Sequence, residues 1–163
     1  MIKNINTLFV TMFGLGKIKI IPGTFGSLAT IIMLYIFFHL IKISSHIILL
    51  FLISVFIYSF IAVASYIKEG ENKDPKEVII DEFIGQSIPI YLYEISHGTQ
   101  KTSDEAVIFY SICFILFRFF DILKPFPVNY FDKNHKNNFG IIMDDIMAGL
   151  YSMILIYLIS LKF

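Results

Sequence analysis

An all-α, compact multi-helix domain embedded in a membrane is the fold this sequence predicts, on three observations. The 163 residues are 56% hydrophobic and only 16% charged, with a mean hydropathy of +0.74, whereas soluble domains carry roughly 25% charged residues. Residues 28–41 and 47–67 hold no formally charged side chain. Apolar–polar alternation, the mark of a half-buried strand, is absent, and the β-branched residues fall inside the long apolar runs. One domain, residues 1–163, accounts for a chain of this length.

The elements follow in order. The opening Met1-Ile2-Lys3-Asn4-Ile5-Asn6 leads into a short apolar stretch ending at Gly14. It lacks an apolar region followed by a small-residue cleavage site, so it reads as retained rather than as a signal peptide. Gly14-Leu15-Gly16 and Pro22-Gly23-Thr24-Phe25-Gly26-Ser27 then bracket Lys17 and Lys19. Small residues before a helix leave backbone N–H groups to meet an anion; equally, the segment is a turn with Thr24 or Ser27 as N-cap. Residues 28–41 make a helix about 20 Å long, short of the roughly 30 Å hydrocarbon core, so it is re-entrant or spans with help from the preceding turn. Lys42-Ile43-Ser44-Ser45-His46 is the tight link to residues 47–67, a run of about 21 residues that is long enough to cross.

Asp74-Pro75-Lys76-Glu77 reads as a helix start, with Asp74 as N-cap, Pro75 at N1 and Glu77 at N3, and the helix runs on through Asp81 and Glu82 toward Gly85 or Pro89. Thr102-Ser103-Asp104-Glu105 opens another helix, which carries Arg118, Asp121 and Lys124 before Pro125 stops it. Residues 127–139 are polar and turn-like. A last helix spans about 144–160.

A net charge of zero offers no basis for binding nucleic acid. Cys113 is the only cysteine, so neither an intrachain disulfide nor a cysteine-rich metal motif is available. The acids are more informative. All thirteen lie between Glu69 and Asp145, and several abut apolar runs: Asp81-Glu82 after Val78-Ile79-Ile80, Asp121 within Phe119-Phe120-Asp121-Ile122, and Asp144-Asp145 between Met143 and Ile146. Carboxylates in apolar surroundings are costly unless paired or bound to a cation, and adjacent carboxylates repel unless a cation or proton intervenes. Solvated helix faces and interfacial ion pairs are the plain alternatives. Oxygen donors without cysteine or clustered histidine favour a hard cation such as Mg²⁺ over zinc; His39, His46, His97 and His135 are scattered. Arg118, Asp121 and Lys124 fall on one helix face, placing Arg118 or Lys124 to grip phosphate while Asp121 holds a cation. Cys113 and Arg118 are too close, without a glycine-rich turn, for a cysteine-phosphatase loop, and no Asp-x-Asp nucleophile motif is present.

Four segments together resemble the phosphatidylglycerophosphatase A family. They are Gly14-Leu15-Gly16 with Pro22-Gly23-Thr24-Phe25-Gly26-Ser27-Leu28, then Lys73-Asp74-Pro75-Lys76-Glu77-Val78-Ile79-Ile80-Asp81-Glu82-Phe83-Ile84-Gly85, then Phe117-Arg118-Phe119-Phe120-Asp121-Ile122-Leu123-Lys124-Pro125-Phe126-Pro127, and finally Gly140-Ile141-Ile142-Met143-Asp144-Asp145 through Gly149. Two positions depart from the family pattern: Lys19 stands where a proline is frequent, and Asn137-Asn138 where a Gly-Gly pair is common.

The resemblance implies a Mg²⁺-dependent enzyme of the bacterial inner membrane. It would take a phospholipid substrate, phosphatidylglycerophosphate, and release phosphatidylglycerol and phosphate on the cytoplasmic side. Asp81, Glu82, Asp121, Asp144 and Asp145 are then the candidate metal ligands or general base. Arg118 and Lys124 would hold phosphate, with Gly23 and Thr24 as a second phosphate-binding element. Homo-oligomerisation stays open. A CDP-alcohol phosphotransferase is the competing enzyme class, although its Asp-Gly…Ala-Arg pattern is absent, and a small cation transporter is the competing non-enzyme.

Overall fold

The computed structural model describes residues 2–69, 75–97 and 103–160, which form helices and their links with no strand among them. Seven α-helices follow in order: α1 (Ile2–Val10), α2 (Pro22–Tyr35), α3 (Ser45–Glu69), α4 (Ile80–His97), α5 (Ser103–Leu123), α6 (Val128–Asn134) and α7 (Asn138–Ser160). A 3₁₀ turn at Leu15–Lys17 precedes α2, and a π turn at Ile36–Leu40 extends it.

A helix with two acids in its first turn, Asp81 and Glu82, lies at the centre. α4 packs against α2, α3, α5 and α7 and buries Ile80, Asp81, Phe83, Ile84, Gln86, Ser87, Ile90 and Glu94. Around it stand the four segments long and apolar enough to cross a membrane: Pro22–Leu40, Ser45–Lys68, Asp104–Leu123 and Asn138–Ile159. Their outward faces carry large exposed apolar side chains, among them Ile57, Ile61, Ile108 and Ile115, as expected of surfaces whose solvent is lipid. Inside, one cluster joins Val10, Val63, Phe83 and Ile142 across α1, α3, α4 and α7. Another joins Leu34, Ile48, Ile90, Tyr110 and Cys113 across α2 to α5. Cys113 is buried there, in keeping with its exclusion as a nucleophile.

Two glycines set the closest crossing. A Cβ on Gly85 would strike the backbone of Asp145, and one on Gly149 would strike the Gly85 carbonyl. Pro89, inside α4, has no N–H to offer that carbonyl four residues earlier. Gly85 is therefore free of both a side chain and its usual helical bond where α7 comes against it.

Several boundaries differ from the sequence-based expectation. α2 begins at Pro22, so its apolar segment is 19 residues long, about 28 Å at helical rise, and is no longer short for a bilayer. Neither Thr24 nor Ser27 caps it: Ile21 holds the N-cap position in the left-handed region at φ 43° without a side-chain cap bond, and the Ser27 hydroxyl donates to the Gly23 carbonyl (3.0 Å) in the second turn. α4 starts at Ile80, not at Asp74, which lies outside the described residues. The segment before it is drawn out by tertiary contacts: Ile79 N–H donates to the Val10 carbonyl at 2.9 Å, and the Glu77 carbonyl fills the space a Gly16 side chain would need. The supposed turn region 127–139 contains α6, and α7 starts at Asn138, which places Asp144 and Asp145 in its second turn and beyond rather than at its start.

Candidate active site

All the acidic candidates converge at one end of the bundle. α4 contributes Asp81 and Glu82 from its first turn, α5 contributes Arg118 and Asp121 from its last two, and α7 contributes Asp144 and Asp145. Gly23 and Thr24 close the site from the first turn of α2, and Lys124 does so from just beyond α5. Together these nine residues line a cavity of about 450 Å³.

The Gly85–Gly149 crossing decides which carboxylates meet. Asp81, Glu82 and Asp145 each offer an oxygen within 4.8 Å of the others. Asp81 Oδ1, Glu82 Oε2 and Asp145 Oδ1 are buried and have no hydrogen-bond partner in the protein. Burial raises the Asp81 carboxyl well above its ordinary value, with the Glu82 and Asp144 charges adding to the effect. Burial likewise raises Glu82, to about 7, with Asp121 pushing up and the Asp81 hydrogen bond and Arg118 pulling down. Three buried carboxylate oxygens without partners, drawn together from α4 and α7, suit a divalent cation, which would neutralise them. An all-oxygen donor set fits a hard ion such as Mg²⁺ or Ca²⁺.

The basic groups are held by the remaining acids. Arg118 is the only arginine in the chain. Its Nη1 meets Asp121 Oδ2 at 2.7 Å and donates to Ser27 Oγ at 3.5 Å, while its Nε is buried without a partner. A side chain on Gly23 would collide with Glu82 and Arg118, so the first turn of α2 lies directly against this pair. Thr24 contributes less than expected to an anion site, since its N–H donates to the Ile21 carbonyl at 3.1 Å.

Lys124 leaves the helical path at φ 45° and donates to Asp132 Oδ1 (2.7 Å) and Asp144 Oδ2 (2.9 Å). Burial alone would lower its pKa, but the Asp144 and Asp132 carboxylates outweigh that and raise it, so the ammonium stays charged. Asp144 and Asp145, adjacent in sequence, thus do different work: one anchors Lys124 and the other joins the open carboxylate trio.

Sequence reasoning missed Asp132, His135, Lys136, Lys76 and Lys19, all of which line the cavity. Reading 128–134 as helix would have found Asp132, because it lies one turn after the buried Val128 on the same face. The lysines sit on links, where no periodicity marks them.

Comparison with known proteins agrees with this arrangement. The profile of the Phosphatidylglycerophosphatase A family matches residues 8–160. The phosphatidylglycerophosphatase A of Haemophilus influenzae is 34% identical over 153 residues, covering 94% of this chain and 87% of that protein. The Escherichia coli phosphatidylglycerophosphatase A is 32% identical over 153 residues, covering 94% and 82%. A Bacteroides thetaiotaomicron protein named provisionally as a phosphatidylinositol-3-phosphatase is 34% identical over 150 residues, covering 91% and 89%. No solved structure matches the chain.

Proposed function

The chain belongs to the phosphatidylglycerophosphatase A family, and from that premise we propose that it is a Mg²⁺-dependent lipid phosphatase acting on phosphatidylglycerophosphate. Its place is phospholipid biosynthesis in the bacterial inner membrane, with the cavity opening toward the cytoplasm. The observation that carries this reading is the group of three orphaned, buried carboxylate oxygens beside Arg118 at one end of an apolar bundle.

Hydrolysis replaces the bond between phosphorus and the glycerol oxygen with a bond between phosphorus and a water oxygen, and the released glycerol oxygen takes up a proton. Asp81, Glu82 and Asp145 are the residues that would hold Mg²⁺, which supplies charge neutralisation at the phosphoryl oxygens. Arg118 donates to those oxygens, its guanidinium oriented by Asp121 and Ser27. Lys124, fixed between Asp132 and Asp144, adds a second positive charge to the cavity. The surrounding apolar helices keep the acyl chains in lipid while the headgroup reaches the acids. The Bacteroides relative, at the same identity as the Haemophilus one, makes phosphatidylinositol 3-phosphate the second substrate to compare.

Purified protein in detergent should release phosphate from phosphatidylglycerophosphate when Mg²⁺ is present, stop when EDTA is added, and resume on Mg²⁺ readdition. Undiminished turnover in EDTA would sink the metal assignment. Absence of turnover on either phospholipid, with folded protein and Mg²⁺, would sink the phosphatase reading.

A further inference from the structure

The cavity changes sign between floor and mouth. Its floor is the buried carboxylate group, but Lys19, Lys76 and Lys136 line it from exposed positions. They arrive on three separate links: Lys19 just before α2, Lys76 in the turn before α4, and Lys136 between α6 and α7. A lone exposed lysine is ordinarily a solvated charge. Three from unrelated links around one acidic cavity make a local field that favours an anion at the mouth.

The mouth also has an apolar side. Ile21 and Ile122 line the cavity while 60% and 70% exposed, and Ile20 and Leu123 beside them are 72% and 61% exposed. Bulky aliphatic side chains suit the diacylglycerol end of a lipid, whereas the carboxylate floor suits the reacting phosphate with its cation. A headgroup lying between lip and floor shares the cavity with the three lysines.

The two substrates named among the relatives, phosphatidylglycerophosphate and phosphatidylinositol 3-phosphate, share one chemical pattern. Each has a phosphodiester next to the diacylglycerol and a phosphomonoester farther out. Resting on the phosphatase reading above, we propose that Lys19, Lys76 and Lys136 form a cationic collar that holds the phosphodiester while the floor works on the monoester. The collar makes the enzyme selective for headgroups with two phosphates over phosphatidic acid, whose single phosphate is the monoester itself. Without it the only cations left for the diester are Arg118 and Lys124, which already engage Asp121, Asp132 and Asp144 and serve the monoester, so the discrimination comes from an attraction that only the two-phosphate lipid can use.

The test uses the full chain in neutral-detergent mixed micelles, which removes the general attraction of lysines to an anionic surface. Lys19→Gln, Lys76→Gln and Lys136→Gln are made singly and together, and kinetics are read on phosphatidylglycerophosphate, phosphatidylinositol 3-phosphate and phosphatidic acid. Each single change should raise KM for the two-phosphate lipids about fivefold, and the triple change roughly a hundredfold, with kcat held. KM for phosphatidic acid should move far less. The ratio of wild-type kcat/KM on the first two lipids tells which two-phosphate headgroup is preferred. An equal KM rise on all three lipids, or no change in the triple variant, overturns the collar. Calorimetric binding of short-chain phosphatidylglycerol, which carries only the diester, separates this from the phosphatase reading. Binding that is lost in the triple variant, beside a wild type that hydrolyses none of the lipids, upholds the collar and refutes the phosphatase. Undiminished binding in the triple variant, beside an active wild type, refutes the collar alone.

Discussion

Asp144 and Asp145 show how far two adjacent carboxylates can diverge. About 100° apart around α7, one meets Lys124 at 2.9 Å and the other joins Asp81 and Glu82 with an unpartnered oxygen. Asp145→Asn should therefore cut kcat about 10²- to 10³-fold and raise the Mg²⁺ concentration needed for half-maximal rate. Asp144→Asn should lower kcat while leaving that Mg²⁺ requirement nearly unchanged, because it loosens Lys124 rather than the trio. Mg²⁺ titrations of both variants check this; an equal shift in the two would mean that both aspartates hold the ion. Arg118→Lys keeps the charge but loses the planar fork, and kcat should fall about tenfold or more with the protein still folded. Full activity in that variant would make the Arg118–Asp121 pair structural. These acids were legible in the sequence because carboxylates beside apolar runs are out of place. The three collar lysines were not, since an exposed lysine on a link looks the same whether or not a cavity lies beneath it.

The elements were legible where apolar length alone defines them and obscure where tertiary contact sets the boundary. α3 lies close to its predicted span, and α5 starts at its expected signal, Ser103, but ends at Leu123, so Lys124 falls just past the helix at φ 45° and not on the helix face with Arg118 and Asp121. The start of α4 was misjudged because Val10 and Gly16 draw the preceding segment out of helix, a contact that no local capping pattern reveals. α7 begins earlier than its acids suggest because Asn137 caps it, its side-chain oxygen accepting from Gly140 N–H at 3.0 Å. The same pair of helices supplies an element-scale prediction. Gly149→Ala pushes a methyl into the Gly85 carbonyl, so α4 and α7 must separate. Stability should fall by about 1–3 kcal/mol, and turnover should fall with it as Asp145 moves from Asp81. A thermal melt in detergent alongside the phosphate assay reads both. Unchanged turnover with lowered stability would detach the crossing from the site. At the far end of α4, Glu94 meets His39 at 3.2 Å with its side chain 5% exposed, among the rings of Tyr35 and Tyr110. Glu94 does not line the carboxylate cavity. Glu94→Ala removes a part-buried hydrogen bond to His39 and should lower stability by about 1–3 kcal/mol while leaving the Mg²⁺ requirement untouched; a shifted requirement would show that this end communicates with the site.

At the scale of the whole molecule, the carboxylate cavity lies at one end of the bundle. α2 and α3 form a hairpin about Lys42, and the packing of Gly16 against Glu77 brings the approaches to α2 and α4 together. Lys17, Lys19, Lys68 and Lys76 collect at that end, whereas Lys42 is alone in the link between the two helices. The positive-inside tendency then predicts that the site end faces the cytoplasm and Lys42 the opposite side. The carboxylates lie at the ends of α4 and α5 and in the early part of α7, so the same orientation presents the cavity to lipid headgroups of the inner leaflet. Cysteine labelling tests it in a Cys113→Ser background, where the native thiol is buried in any case. An impermeant maleimide (with the outer membrane permeabilised where the host has one) should leave Lys17→Cys and Lys76→Cys unmodified in intact cells and label both once the cytoplasmic membrane is opened. Lys42→Cys should react in intact cells if the hairpin crosses the bilayer, and stay protected if the hairpin only dips into it. Labelling of Lys17→Cys or Lys76→Cys in intact cells would invert the molecule and part the acidic cavity from a cytoplasmic lipid pool.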